Sequence, residues 1–303
     1  MMFRTVVMPP SQPSPDAAGR EALLAWYRPR RRAYPWRRTR DPYAILVSEV
    51  MLQQTQAVRV AASFEPFLRG FPSVRALARA SRSDVVRAWG RLGYNRRAVA
   101  LHEAARAIVR EHDGRVPADP AALRRLPGVG PYSAAAVASM AFGVPVAAVD
   151  TNVRRIVGRV HTGTDEADRA TVHRLAQVWL DPADPGAWNQ ALMDLGREVC
   201  RPRPRCPACP LAAPCRFRAG GAEPRREGPR SVPFEGSNRQ LRGAVVRVLR
   251  QRPSLTLAVL GRELGTDGVP LREVVAGLVR DGIVAAGPAA TAGRPNGRVR
   301  LAR

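Results

Sequence analysis

Apolar residues recur at helical spacing along most of the chain. The helical patterns lie between Pro or Gly breaks and Ser or Asp start signals, at residues 21–27, 43–60, 61–69, 74–80, 83–90, 98–111 and 120–126. A convincing strand-like pattern first occurs after residue 282. Residues 1–18 are rich in Pro and Ser and are expected to be disordered. The pattern therefore predicts an all-α main body.

The pattern changes in the last third of the chain. Gly, Pro and charged residues dominate 220–237, which predicts a linker. Three helical patterns and a pair of short apolar runs with Gly-Pro and Pro-Asn-Gly turns follow, at 239–250, 257–264, 271–281 and 283–302. We therefore predict a small winged-helix-like module at 238–303.

The charge balance favours a polyanionic partner. The 303 residues, enough for about two domains, carry a formal net charge of +24. A high-GC genome accounts for part of the Arg content, but not for the shortage of Asp and Glu. No run approaches the ~20 apolar residues that a membrane span needs, and no signal peptide is evident. We expect a monomer in the cytoplasm that associates with nucleoid DNA and not with a membrane.

All 49 basic residues other than His are Arg, because the sequence contains no Lys. A mechanism through a lysine Schiff base is therefore excluded.

The cysteines form one cluster in the sequence, at Cys200, Cys206, Cys209 and Cys215. In a cytosolic chain, such confinement is more typical of metal binding than of disulfides. Four thiolates suit either zinc or a [4Fe–4S] cluster. Zinc sites usually pair their cysteines in two short steps, and only one such step occurs here. The spacing therefore favours the iron–sulfur cluster.

The segment LPGVGPY at 126–132 joins two helical runs. Gly128 and Gly130 permit a tight turn and the close approach of a ligand. Pro131 suits the first turn of the next helix, whose free N–H groups form a site for an anion such as a DNA phosphate. Gly128, Val129 and Gly130 are therefore candidate phosphate ligands. The motif alone is also compatible with a helical hairpin that binds nothing.

One candidate carboxylate is Glu49, which shares a predicted helix face with Ile45, Leu46 and Leu52. Desolvation on an apolar face favours the protonated acid, as a general acid at neutral pH requires. The alternative is a glutamate at the rim of the face, paired with Arg37.

A second candidate is Asp150, which lies between an apolar run and a helical pattern. This position predicts a helix N-cap, whose N–H donors keep the carboxylate ionised. A protonated acid together with an ionised carboxylate is the pair that cleavage of a glycosidic bond uses.

Six segments together resemble the MutY-type adenine DNA glycosylases, an iron–sulfur group of the helix-hairpin-helix superfamily that is similar to endonuclease III. They are SEVMLQQTQ (48–56), WGRLGY (89–94), LPGVGPY (126–132), VDTNVRRI (149–156), WNQALMDLG (188–196) and the cysteine cluster. The resemblance covers about 21–218. It implies two domains with the active site between them: a six-helix barrel with the helix-hairpin-helix at 43–150 and a [4Fe–4S] domain at 19–42 and 151–219.

The resemblance also implies catalytic roles. Glu49 would protonate the flipped adenine, and Asp150 would stabilise or trap the oxocarbenium-like sugar. Asn152 would orient the water or Asp150. Tyr132 stands where bifunctional relatives carry a lysine, which implies a monofunctional enzyme.

Further residues are implied as substrate contacts, namely Arg37, Leu52 and Gln190 for the adenine, and Gln54 and Tyr94 for the base stack. Extrusion of a base leaves a gap that must be filled, and a polar and an aromatic side chain suit this purpose. The alternative for Tyr94 is a core aromatic in a Gly-rich turn.

Two features depart from the family pattern. The first gap between cysteines has five residues, 201–205, where the family has six. The residues after 237 are too few and too helical for the MutT-like domain that reads 8-oxoguanine.

The sequence predicts a monofunctional glycosylase in base excision repair. It would hydrolyse the N-glycosidic bond of adenine mispaired with 8-oxoguanine or guanine in double-stranded DNA. The alternatives are a monofunctional glycosylase for T or U opposite G, and a non-catalytic damage-binding protein on the same scaffold.

Overall fold

The computed structural model describes residues 15–221, 233–266 and 268–303. Contacts divide these residues into two compact units. The first, termed the cysteine unit, comprises the described residues within Met1–Arg32 and Ala138–Glu227. The second, termed the hairpin unit, comprises those within Ala33–Val137 and Gly228–Arg303.

The described residues form sixteen α-helices and three short β-strands. In chain order the helices are α1 (Pro15–Tyr27), α2 (Pro42–Leu52), α3 (Ala57–Gly70), α4 (Val74–Arg79), α5 (Arg82–Ala88), α6 (Arg96–Glu111), α7 (Pro120–Arg125), α8 (Pro131–Phe142), α9 (Thr151–Val157), α10 (Arg169–Trp179), α11 (Pro185–Glu198), α12 (Arg216–Ala219), α13 (Asn238–Gln251), α14 (Leu257–Leu264), α15 (Gly268–Arg280) and α16 (Pro288–Thr291). The strands are β1 (Leu255–Thr256), β2 (Val284–Ala286) and β3 (Arg298–Leu301).

The cysteine unit is built on a core of buried aromatic and aliphatic side chains from α1, α9, α10 and α11. Trp179 and Trp188 pack edge to face with their ring centroids 5.7 Å apart, and both are almost fully buried. Helix α1 begins at Pro15, within the segment that the sequence predicts to be disordered. Pro is well suited to the first turn of a helix. The residues before Pro15 lie outside the described part of the chain.

The hairpin unit contains α2–α7 and the first part of α8, which lie within the range where the resemblance implies a six-helix barrel with the hairpin. Helix α2 is buried from Tyr43 to Met51, so it lies in the middle of this unit. The prediction of a single helix at 43–60 is wrong, because α2 ends at Leu52 and α3 begins at Ala57. Gln54, with φ 53°, interrupts the helix between them.

The C-terminal residues form a winged-helix module from α13–α15 and a small antiparallel sheet. The strand order is β1-β3-β2, with Leu255 opposite Val299 and Val284 opposite Leu301. Strand β1 was not predicted, because two residues are too few to show an alternating pattern. The predicted fold class, an all-α body with a small winged-helix-like module, is confirmed.

The units do not follow the predicted domain borders. The contact division falls between Val137 and Ala138, inside α8, and it joins the C-terminal module to the helical body. The predicted borders at 42, 150 and 219 therefore stay a prediction. Most of the predicted linker, at 222–232, lies outside the described residues. Among the helices that are described, none is long and apolar enough to cross a membrane.

Candidate active site and cysteine cluster

The predicted hairpin connects α7 and α8. Gly128 has φ 76°, and a Cβ atom at this position would lie 2.7 Å from the Cβ of Ala100. Only glycine is therefore compatible with both the conformation and the packing. Gly128 and Gly130 are exposed, whereas the Val129 side chain is buried. The Val129 N–H donates to Leu126 O at 3.1 Å within the turn, so Val129 anchors the hairpin and its glycines face outward.

Two non-glycine residues near the hairpin have left-handed backbones. Gln54, between α2 and α3, has φ 53°, and Tyr94, just before α6, has φ 46°. Both side chains are exposed, and half of the Tyr94 side chain is accessible. The alternative of a core aromatic at Tyr94 is therefore wrong. A left-handed tyrosine costs conformational energy, and such residues are often found at functional sites.

Arg97 holds the two turns together. Its guanidinium donates to carbonyl oxygens at the end of α2, namely those of Val50 at 3.0 Å, Met51 at 2.7 Å and Gln53. It also donates to Thr55 Oγ1 at 2.9 Å and to Gly93 O at 3.2 Å, and it lies 5.4 Å from the ring centroid of Tyr94. Burial lowers the pKa of Arg97 to about 10, so the side chain stays charged at neutral pH.

A basic groove of about 1120 Å³ runs beside these turns within the hairpin unit. Gln54, Tyr94 and Gly128 lie in its wall, together with residues of the C-terminal module. Arginines dominate its charged side chains, including Arg59, Arg91, Arg239, Arg242 and Arg280, against the two acids Glu103 and Asp281. A surface with this excess of positive charge is suited to a phosphate backbone.

The hairpin unit also contains Glu49, which is 3% exposed on α2. Its Oε2 atom is shielded from solvent. This burial contradicts the rim position in the alternative from the sequence, whereas the pairing with an arginine such as Arg37 stays a prediction. Arg37, in a short 3₁₀ turn at Pro35–Arg37, is half-buried and lies 5.5 Å from the ring centroid of Tyr34.

Asp150 lies in the cysteine unit and caps α9, which confirms the predicted N-cap. Its Oδ1 accepts from the Val153 N–H at 2.7 Å, and its Oδ2 accepts from Asn152 Nδ2 at 2.9 Å. Asn152 Oδ1 in turn accepts from Arg155 Nη2 at 2.9 Å, and Arg155 Nε donates to Cys200 O at 2.8 Å. A chain of hydrogen bonds thus fixes the carboxylate and joins it to the first cysteine.

The chain leading to Asp150 is fixed by Asn189, a residue that the sequence analysis missed. Asn189 is fully buried on α11. Its Nδ2 donates to Ser139 Oγ at 2.9 Å and to Val146 O at 3.0 Å, and its Oδ1 accepts from the Ala148 N–H at 2.8 Å. The sequence feature that could have indicated its role is an Asn next to the candidate Gln190, on a helix face that is otherwise apolar.

The other predicted site residues have more ordinary surroundings. Gln190 Oε1 accepts from the buried Tyr27 hydroxyl at 2.7 Å. Tyr132 is half-buried in the first turn of α8, and Leu52 is half-buried at the end of α2. Their predicted roles toward a substrate stay predictions.

The four cysteines line one cavity in the cysteine unit. Cys200 is buried and Cys206, Cys209 and Cys215 are half-buried. Burial raises the pKa of the Cys209 thiol to about 11, and the other three thiols add to the effect. In the described part of the chain, no group of three or more His, Cys, Asp or Glu side chains is arranged to hold a single metal ion.

A buried arginine lies beside the cysteines. Arg159 is 1% exposed, and its Nη1 lies 3.6 Å from Cys200 Sγ. It forms a two-point ion pair with Asp165 at 2.5 and 2.9 Å and also donates to Arg201 O and Pro202 O. Arg159 therefore brings a positive charge to the cavity and orders the loop that follows Cys200.

Comparison with known proteins gives the family. Residues 47–182 match the HhH-GPD superfamily of base excision DNA repair proteins. The adenine DNA glycosylase of Mycobacterium tuberculosis (strain CDC 1551 / Oshkosh) is 42% identical over 292 residues, which cover 91% of this chain and 95% of that protein. The chain belongs to the HhH-GPD superfamily.

Two further proteins are each similar to about two thirds of this chain. The adenine DNA glycosylase of Homo sapiens is 43% identical over 215 residues, covering 66% of this chain and 39% of that protein. The solved structure of a thermostable thymine-DNA glycosylase is 31% identical with a TM-score of 0.64, covering 68% of this chain and 97% of that one.

The extent of these matches bears on the C-terminal module. The match to the mycobacterial relative leaves less than a tenth of the chain uncovered. This uncovered part is shorter than the module at 238–303. That relative therefore matches at least part of the module.

Proposed function

We propose that the chain is a monofunctional adenine DNA glycosylase of base excision repair. It would remove adenine mispaired with 8-oxoguanine or guanine in double-stranded DNA. The observation that carries the proposal is the 42% identity to an adenine DNA glycosylase across 91% of the chain, together with a buried Glu49 and a capped Asp150. A monomer in the cytoplasm, associated with nucleoid DNA, fits this function.

The two carboxylates have complementary tasks in the proposed hydrolysis. Glu49, shielded from water on α2, gives its proton to the adenine ring as the glycosidic bond breaks and its electron pair leaves with the base. The negative Asp150, held by the Val153 N–H and Asn152, stabilises the positive sugar. Water adds a hydroxyl to the sugar carbon, and its remaining proton returns to a carboxylate.

The hairpin unit supplies the surface for extrusion of the base. Gly128 and Gly130 would bring the backbone N–H groups around them close to a phosphate. Gln54 and Tyr94 are exposed at the wall of the basic groove, where they could fill the gap in the stack. The groove arginines would contact the sugar–phosphate backbone, which positions the duplex without reading its sequence.

The cysteine unit is proposed to hold a [4Fe–4S] cluster through Cys200, Cys206, Cys209 and Cys215. Four thiols around one buried cavity are the donor set that such a cluster requires. Burial raises the pKa of the Cys200 thiol, and Arg159, next to Cys200 Sγ, opposes this rise and so favours the thiolate. When bound, the cluster would take one thiolate from each of the four cysteines and would so cross-link the 200–215 segment.

A panel of mispaired duplexes tests the proposed function. In single-turnover assays we expect adenine to be released opposite 8-oxoguanine and guanine, and thymine opposite guanine to be retained. The 31% identity to a thymine-DNA glycosylase makes the thymine substrate the informative control. If thymine opposite guanine is released and adenine is not, the chain is a thymine glycosylase. Tight binding of every duplex without release of any base would indicate a damage-binding protein.

The enzyme is further expected to leave an intact abasic strand. Cleavage of the strand through a Schiff base needs an amine; the sequence contains no lysine, which leaves only weak reaction through the α-amino group. Denaturing gels should show product only after alkali or heat, and borohydride should trap little covalent complex. Efficient trapping at an internal residue would contradict a monofunctional mechanism.

A further inference from the structure

The C-terminal module contacts the region around Tyr94 at several points. Asp281 pairs with Arg96 at 3.9 Å, and Gly282 O accepts from Arg82 at 3.4 Å. Arg250 makes the contact to Asn95, the residue next to Tyr94.

Arg250, near the end of α13, donates from Nη2 to Asn95 Oδ1 at 2.6 Å and from Nε to Val86 O at 3.0 Å. Arg87 Nε completes the contact by donating to Arg250 O at 3.4 Å. All of these residues lie in the hairpin unit. The module is thus attached at the segment that carries Tyr94.

Asn95 is the residue between Tyr94 and α6. Asn at such a position usually caps the helix through its side chain, but here the side chain makes no cap bond. Asn95 is 9% exposed, and its Oδ1 accepts from Arg250 instead. The side chain of Asn95 therefore connects the turn to the module and does not cap α6.

The surroundings of Arg250 are unfavourable for a charged side chain. Its two described acceptors, Val86 O and Asn95 Oδ1, are uncharged oxygens. Burial alone lowers the pKa of Arg250 to about 10. A half-buried guanidinium with no carboxylate partner loses hydration without gaining an ion pair, whereas its planar fork can fix two acceptors in one geometry.

We propose that Arg250 is a positioning residue for base extrusion: through Asn95, the C-terminal module holds Tyr94 in its left-handed, outward-facing conformation. The inference rests on the proposed glycosylase function. It gives the module a task that differs from phosphate binding in the groove, because Arg250 acts on the turn and not on the DNA. Loss of Arg250 should therefore weaken extrusion more than duplex binding.

The test measures extrusion separately from affinity. The probe is 2-aminopurine, placed at the target position opposite 8-oxoguanine, whose fluorescence rises on unstacking. It is bound by full-length Glu49→Gln protein, with and without Arg250→Met. At saturating protein we expect the fluorescence gain to fall by at least about half, with duplex Kd changed less than about threefold. With Glu49 intact, Arg250→Met should lower the single-turnover rate roughly tenfold.

Two further variants make the result specific. Arg247→Met removes an exposed arginine from the same helix and should leave the fluorescence gain at the parent level. Asn95→Ala removes the acceptor, and it replaces Arg250→Met if that variant does not fold. The double variant should be no worse than either single one, since both break one link. Thermal unfolding midpoints identify any global loss of structure.

The possible failures are distinguishable. An equal fluorescence gain with and without Arg250 at saturation overturns the inference and leaves the glycosylase function standing. If the parent protein binds the mispaired duplex but never unstacks the probe, and wild type releases no adenine, the proposed function fails instead.

Discussion

Replacement of Glu49 by glutamine is expected to abolish adenine release while leaving duplex affinity nearly unchanged. Glutamine keeps the size and the hydrogen-bonding capacity of the side chain but has no proton to give to the leaving base. General acid catalysis contributes about 10²–10⁴-fold to rates, so the single-turnover rate should fall by at least about a hundredfold. The measurement is adenine release from the duplex with 8-oxoguanine, beside anisotropy with the same duplex.

Glu65→Gln is the matched control, because Glu65 is an exposed glutamate on the neighbouring helix α3. It should release adenine at the wild-type rate. A wild-type rate in the Glu49→Gln protein would show that protonation of the base comes from another group. A proportionate loss of rate and affinity would instead indicate a folding defect of α2, which is buried along most of its length.

Replacement of Cys206 by serine is expected to remove the brown colour, the iron and the DNA affinity together. The wild-type protein should contain about four irons per chain. Serine cannot supply the thiolate that the cluster needs, so the cavity loses one of its four ligands. Iron content, the visible absorption spectrum and duplex affinity should be measured on the same preparations, because a loss of all three links the cluster to the DNA-binding form.

Ala208→Ser adds a hydroxyl group in the same turn, Cys206–Ala208, and removes no thiol. It should retain both colour and affinity. A colourless wild-type protein with stoichiometric zinc, prepared anaerobically from iron-replete cells, would refute the iron–sulfur assignment. Since the first gap between cysteines is one residue shorter than the family pattern, this measurement also tests whether the shorter loop accepts the cluster.

The sequence is informative where function depends on local spacing. Four closely spaced cysteines, the Gly128 turn and the cap at Asp150 each follow from a short segment, and the structure places them as these segments predict. The three helices of the C-terminal module were likewise visible from periodicity. Each of these features is determined by residues that are neighbours in the chain.

Local patterns failed where distant residues decide the structure. The QQTQ segment contains no Gly or Pro, so nothing in it marks the end of α2. The break coincides with hydrogen bonds from Arg97, which lies more than forty positions away in the sequence. Asn189 and Arg250 act over similar or greater separations. A single sequence carries no record of such pairings.

The left-handed turns at Gln54 and Tyr94 have a kinetic consequence for the proposed function. Strain of roughly 1–3 kcal/mol per residue is offset by contacts within the protein, those of Arg97 and, through Asn95, that of Arg250. Because the fold itself holds these turns, we expect encounter with DNA to require little ordering of them, so that damaged and undamaged duplexes associate at similar rates. In the proposed role, damaged and normal DNA differ in the dissociation rate of the complex. The protein would therefore bind normal DNA many times, each time briefly, before it meets a lesion.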